Sequence, residues 1–199
     1  MESQVLSRLD WVGFNSYLCK TLVLELDHKE LVLAAAEGDS EAQRRLYNLY
    51  AKQMFSVAFR LLNHREDAED VLQESFIAAF EALRNYRNEA SFGSWLKRIV
   101  VNKSLNHLKK KKLVLEDIKD QWEEEVTIDA KELTVEMIKQ TLAEMPDGYR
   151  LVFSLYYFEN MAHKEIAEHL NISEGGSKSQ LNRAKQRLKQ KLEPLGYGK

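Results

Sequence analysis

The sequence predicts an all-α protein: two small helical domains joined by an acidic linker, the C-terminal one a helix-turn-helix. Apolar residues recur at three- and four-residue spacing through most of the chain, the period of helices that bury one face. Only two prolines and eight glycines punctuate 199 residues, and a hydrophobic content of 44% is enough to build packed cores. A block of acidic residues divides two basic stretches, so the formal net charge of −2 conceals a segregated distribution.

Residues 1–28 form an N-terminal extension. Trp11, Phe14, Tyr17 and Leu18 suggest a marginal helix ahead of the apolar Leu22-Val-Leu-Glu-Leu, with no motif in it. The extension either packs on the first domain or stays weakly structured. The first domain, 29–112, opens with Leu31-Val-Leu-Ala-Ala-Ala and breaks at Gly38-Asp39-Ser40, where Asp39 or Ser40 can N-cap the next helix. That helix carries Leu46, Leu49, Tyr50, Met54, Val57, Ala58, Leu61 and Leu62 as a core stripe and ends at Asn63-His64. The following one starts in acid, with Glu66, Asp67, Glu69 and Asp70, which suits the helix dipole. Leu72, Phe76, Ala79, Phe80 and Leu83 supply its buried side, while Asp67, Asp70, Gln73 and Glu74 are spaced to share the opposite face. Such a stripe is ordinarily solvated surface; it can also dock a partner.

A polar loop from Asn85 to Ser91 follows, and Ser91 can cap the helix Phe92-Gly-Ser-Trp-Leu-Lys-Arg-Ile-Val-Val-Asn-Lys-Ser-Leu-Asn-His-Leu. From Lys97 to Lys112 this segment holds Lys97, Arg98, Lys103 and Lys109 to Lys112 without one acid. Asn102 stands between Ile99 and Leu105, which reads either as a satisfied buried amide or as a contact to nucleic acid. Basic residues, amides and the rings of Tyr86, Phe92 and Trp95 together have the composition of a single-strand-binding surface, where bases stack on rings.

Basic then turns to acidic. Within the linker, 113–132, Glu116, Asp117, Asp120, Glu123, Glu124, Glu125 and Asp129 are opposed between Glu116 and Asp129 only by Lys119, and a duplex would repel that stretch. The second domain, 133–199, opens with Leu133, Met137, Ile138, Leu142 and Met145, stopped at Pro146-Asp-Gly. Tyr149 to Phe158 has the composition of a strand, but its place just ahead of a helix-turn-helix makes it the supporting helix. In the helix-turn-helix, Ile166, Ala167 and Leu170 share a face, Asn171 suits a left-handed stop, Ile172 plugs the corner and Ser173 caps the second helix. Lys178, Arg183, Lys185, Arg187, Lys189 and Lys191 are all the charged residues from Lys178 onward to Lys191. A Lys-rich amphipathic helix also occurs in bundles that never touch DNA. The turn chemistry, the missing acid and the Gly175-Gly176-Ser177 start favour the DNA-binding form.

Other classes find no support. No phosphate loop, nucleophile elbow or zinc-protease motif is present. His163 and His169 lie six apart, off a common helical face, and Glu165 with His169 is an ordinary surface spacing. Single Cys19 leaves no internal disulfide or cysteine-cluster metal site. No catalytic residue, metal or cofactor is expected, and the chain does not read as an enzyme. No apolar run approaches the ~18 residues of a membrane span, and Glu2 and Asp10 spoil a signal peptide, so cytoplasmic residence is expected.

Three motifs in order, Asp67-Ala-Glu-Asp-Val-Leu-Gln-Glu-Ser-Phe, Phe92-Gly-Ser-Trp-Leu-Lys-Arg-Ile-Val-Val-Asn and Met161 through Leu188, resemble a bacterial RNA polymerase sigma factor of the extracytoplasmic-function type. The likeness covers about 30–112 and 133–193. It implies that Asp67, Asp70, Gln73 and Glu74 dock on core RNA polymerase. It implies that Tyr86, Arg87, Asn88, Trp95, Lys97, Arg98, Asn102, Lys103 and Asn106 melt and read the −10 promoter element, where a base is flipped out. Ser177, Lys178, Ser179, Asn182, Arg183 and Lys185 would read the −35 element as duplex. An anti-sigma factor is a further implied partner. The chain departs from the pattern at Gly175-Gly176-Ser177, where many relatives carry Gly-Thr-Val, and at Asn106, where an aspartate is common. The alternative is a dimeric helix-turn-helix regulator that does not replace a sigma factor; it leaves the acidic face without a task.

Overall fold

The computed structural model describes residues 28–87, 89–111 and 135–192. The extension up to residue 27, Asn88, the linker 113–132 and Leu133 lie outside the described residues. Among those described, every regular element is helical: α1 (28–36), α2 (Ser40–Leu62), α3 (Arg65–Ala82), a short 3-10 turn (Leu83–Asn85), α4 (Phe92–Lys110), α5 (Val135–Ala143), α6 (Asp147–Tyr157), α7 (His163–Leu170) and α8 (Glu174–Leu192). The expected supporting helix is thus α6, not a strand.

Local chemistry sets the boundaries. Asp39 caps α2, its Oδ1 accepting from the Ala42 N–H at 2.9 Å, and Asn63 closes it in the left-handed conformation at φ 51°. Ser91 caps α4, its Oγ accepting from Ser94 N–H. Asn171 ends α7 at φ 55°, and Ser173 Oγ accepts from Gly176 N–H at 2.9 Å to start α8. α8 therefore begins at Glu174 and takes both glycines into its first turn.

Helices α2, α3 and α4 pack mutually around Leu46, Met54, Leu61, Val71, Phe76, Leu96, Val100 and Leu105, with α1 contributing Leu31, Val32 and Ala35. Leu49, expected in the α2 stripe, is 62% exposed instead. It lies three residues from Leu46 and turns off the edge of the buried seam. Gly93 matters here: a Cβ would stand 2.7 Å from Tyr50 Cε1, so glycine lets the Tyr50 ring lie against α4. The C-terminal module packs α6 and α7 on α8 around Leu151, Leu155, Ile166, Leu181, Ala184 and Leu188.

The two modules touch. α2 packs on α5 and α6, and α4 on α7. Arg150 of α6, 2% exposed, pairs with Asp147 and donates Nη2 to the Leu61 carbonyl of α2 at 3.4 Å. Asn63 Nδ2 donates to the Ala143 carbonyl at 3.0 Å.

Candidate nucleic-acid interface

Helix α4 buries Leu96, Val100, Val101, Ser104, Leu105 and Leu108. At about 100° per residue, a position two residues from both Val100 and Ser104 falls on the far side. That position is Asn102, which is exposed and not a buried amide. It lines up with Ser94, Arg98, Asn106, Lys109 and Lys110, all exposed. This stripe holds hydrogen-bond donors, amides and positive charge without an acid, the mixture a nucleic-acid backbone and base edges accept.

Lys97 and Lys103 flank the stripe and are engaged elsewhere. Lys103 Nζ stands 3.5 Å from Glu74, and Lys97 Nζ 3.0 Å from Glu159 of the other module. The expected set of α4 cations is therefore split: Arg98 sits on the open face, while both lysines are paired at its sides.

The loop ahead of α4 is built on rings. Tyr86 packs on Trp95 with centroids 5.0 Å apart and edge-on to Phe92, and its hydroxyl donates to the Ala90 carbonyl, closing the loop on itself. Burial pushes the Tyr86 phenol up from its ordinary value, so it stays a neutral donor. Phe92 is only 2% exposed, hence foundation and not a stacking ring. Arg87 is exposed near Glu89. Loop and helices enclose a cleft of about 700 Å³, walled by Val32, Leu33, Tyr50, Tyr86, Ser91 and Phe92 among others.

On α3, Asp70, Gln73 and Glu74 are exposed as expected. Asp67 is not one of them in accessibility: its carboxylate is 15% exposed and enclosed by Lys111, His107 at 3.2 Å and His64 at 3.4 Å. The hydrogen bond from Lys111 holds its pKa below the usual carboxylate range. Asp67 ties the start of α3 to the end of α4, a bracing role that acid spacing on one helix does not reveal.

In the helix-turn-helix, Lys178 is exposed and paired with Glu174 at 2.8 Å, and Ser179, Asn182, Arg183 and Lys185 are half-buried along α8. Ser177 corrects the expectation. It is fully buried, facing the α7 side of α8, and its Oγ lies 2.9 Å from His163 Nδ1. A side chain in that core position cannot reach DNA. The His163 ring also stacks on Tyr156, and burial lowers its pKa, assisted by the nearby Lys178 charge. Residues that sequence reasoning missed, Arg60, Arg150 and Glu159, owe their importance to contacts between modules, for which no local spacing is a signal.

Two family matches cover these surfaces: Sigma-70 region 2 over residues 46–114 and Sigma-70 region 4 over residues 136–188. The chain is 27% identical over 188 residues to the ECF RNA polymerase sigma factor SigW of Bacillus subtilis, across 86% of this chain and 100% of that protein. It is 30% identical over 149 residues to SigM of the same organism, across 72% of this chain and 91% of that one, and 28% identical over 183 residues to the RNA polymerase sigma-H factor of Pseudomonas aeruginosa, across 84% and 94%. Among solved structures, CnrH in complex with the cytosolic domain of CnrY is similar at 23% identity and a TM-score of 0.45, over 82% of this chain and 96% of that chain. Both regions occur in order, and the relatives match over nearly their full length: the chain belongs to the extracytoplasmic-function (ECF) RNA polymerase sigma factors.

Proposed function

We propose that this sigma factor divides promoter recognition between two helix faces. The domain 29–112 docks on core polymerase and opens the −10 element, 113–132 spans the gap, and 133–199 reads the −35 duplex. The observation that carries the reading is the α4 stripe Arg98, Asn102 and Asn106, exposed and free of acid, on the helix whose first residue, Phe92, walls the loop cleft. A single strand laid on that stripe has a cleft within reach for one unstacked base, at a cost of a few kcal/mol for flipping. Asp70, Gln73 and Glu74 form the polymerase-docking face, with Asp67 bracing it from behind. Lys178, Ser179, Asn182, Arg183 and Lys185 meet the −35 element. Chemistry stays with the polymerase; the chain itself catalyses none. Among the described residues no helix is long and apolar enough to cross a membrane, and we place the protein in the cytoplasm with its polymerase. The family resemblance supports an anti-sigma protein as the partner that restrains it.

Run-off transcription with core polymerase tests the whole: the chain should confer a promoter-dependent transcript, and its absence would end the reading. Asp70→Arg with Glu74→Arg should abolish that transcript and co-purification with core polymerase while leaving the helical spectrum intact. With six cations on α8, duplex affinity of the holoenzyme should fall with salt at a log–log slope of about −5 for that helix.

A further inference from the structure

The loop cleft has a side that a single base does not use. Tyr86, Ser91 and Phe92 form its loop side, and α1 forms the other through Lys29, Val32 and Leu33. Leu33 is 65% exposed, although Leu31, Val32 and Ala35 of the same helix are buried. At about 700 Å³ the cleft has the size that holds a drug-sized ligand. A nucleobase is one ring or two fused rings, so a base held at the loop leaves the apolar α1 side uncovered.

His28 fixes where the preceding chain arrives. It directly follows the extension and lines the cleft itself. Its Nε2 shares a 2.7 Å hydrogen bond with the Tyr50 hydroxyl, and its ring meets Tyr50 edge-on at 5.8 Å and Phe92 at 6.2 Å. Residues 1–27 are therefore tethered at the cleft with no spacer. Their sequence suits its α1 side: Trp11, Phe14, Leu18 and Leu22 recur at the three- and four-residue steps of one helical face. Two helical turns from Trp11 to Leu18 span about 10 Å, close to the edge of a cube of about 700 Å³. The stretch from Leu18 to His28 reaches at most about 35 Å, more than a reversal onto an adjacent wall needs. The Sigma-70 region 2 match begins at residue 46, so neither the extension nor α1 belongs to it.

We propose that residues 1–27 fold back onto the α1 side of the loop cleft, seat the Trp11, Phe14 and Leu18 face against Leu33, and narrow the cleft to the size of one base. The extension is then a further wall of −10 recognition: it excludes water from the held base and sharpens the choice of that base. The proposal rests on the assignment of the cleft to a −10 base.

The test uses the full chain with a nitroxide on Cys19, its single cysteine. Amide signals of Tyr50, Tyr86 and Phe92, all distant from Cys19 in sequence, should be broadened, and those of Lys109 and Lys110 at the far end of α4 spared. Trp11→Ala with Phe14→Ala should release the broadening, and Leu33→Glu, at an exposed position of the cleft, should do the same from the other side. In the holoenzyme, an abasic site in place of one −10 non-template base should weaken promoter binding about tenfold for wild type and about threefold or less for either variant. Broadening spread evenly over the surface or centred on the α4 stripe overturns the fold-back, as does a pattern that both variants leave unchanged. Broadening reproduced by mixing labelled with unlabelled chains marks a second copy as the occupant and overturns it too. Tighter promoter binding by the variants would make the extension a competitor for the place of the base, and the wall falls. If no abasic site matters at any −10 position, the assignment of the cleft to a base is at fault and the wall falls with it. If abasic sites matter equally for wild type and variants, that assignment stands and the wall alone falls.

Discussion

The two modules bury polar groups in different ways. In the N-terminal core the buried polar side chains are Ser75 and Ser104, and each donates to the carbonyl four residues back on its own helix, Val71 at 2.6 Å and Val100 at 2.8 Å. They are small residues that let helices approach, and they ask nothing of their neighbours. The C-terminal core buries Thr141, Arg150, Ser154, Ser177 and Gln180, and Arg150 and Ser177 each have a partner on another helix, the Leu61 carbonyl and His163. The first module is held by apolar packing, which tolerates small adjustments. The second is specified by polar contacts that work only in one arrangement. A rigid platform for strand opening and a conditionally organised reader of duplex are the corresponding functions.

Breaking the apolar module should have the largest effect. Phe92→Ala removes a ring that touches Tyr50, Tyr86 and Trp95, and it should cost about 3–5 kcal/mol in urea unfolding. Strand opening should fail with it, since the loop rests on that ring. Gly148→Ala probes the polar module: its Cβ would sit 2.1 Å from Oε1 of Gln180, a side chain that is itself buried. A loss of about 1–3 kcal/mol is expected, and Gln180→Ala in the same chain should restore most of the melting temperature.

Protonation should separate the modules more gently. His163 has a folded-state pKa below its ordinary 6.5, chiefly through burial. The unfolded chain then binds a proton more readily than the folded one, so stability rises with pH through that window and is lost as pH falls below about 6.5. Acid should loosen the helix-turn-helix ahead of α2–α4, as read by amide exchange of the two segments, and His163→Gln should remove the difference. Smallest in stability is Asn102→Ala, within about 0.5 kcal/mol as for other exposed positions. Its effect should appear only in promoter melting, and a matching loss of duplex binding at −35 would contradict the division of labour.

Features set by neighbours in sequence were legible beforehand. Asp39, Ser91, Asn171 and Ser173 act at the helix ends where their chemistry places them. The exposed acids Asp70 and Glu74 and the absence of acid along α4 also follow from spacing. What escaped was set by neighbours in space. Spacing leaves Asn102 open between a buried amide and a nucleic-acid contact, because Ile99 and Leu105 flank it at three-residue steps; each such step slips about 60° backward around the helix, and the seam runs through Val100 and Ser104. Asp67 has the spacing of a docking face but is claimed by His107 and Lys111 at the end of α4. Ser177 looks like a polar residue at the head of a recognition helix, and only the packing of α7 shows it turned inward. The Glu159 pairs join residues far apart in the chain, where no periodicity applies.

The Gly148–Gln180 and His163–Ser177 contacts also bear on re-engineering promoter choice. Transplanting α8 alone from a relative with valine at the Ser177 position would strand the His163 imidazole against an aliphatic wall and leave glycine at 148 facing a void or a stranger. The smallest graft that carries its own internal partners runs from α6 through α8, about Asp147 to Leu192. Specificity in this chain is thus inherited in a three-helix cassette, and swaps cut inside it should yield proteins that fold poorly before they mis-target.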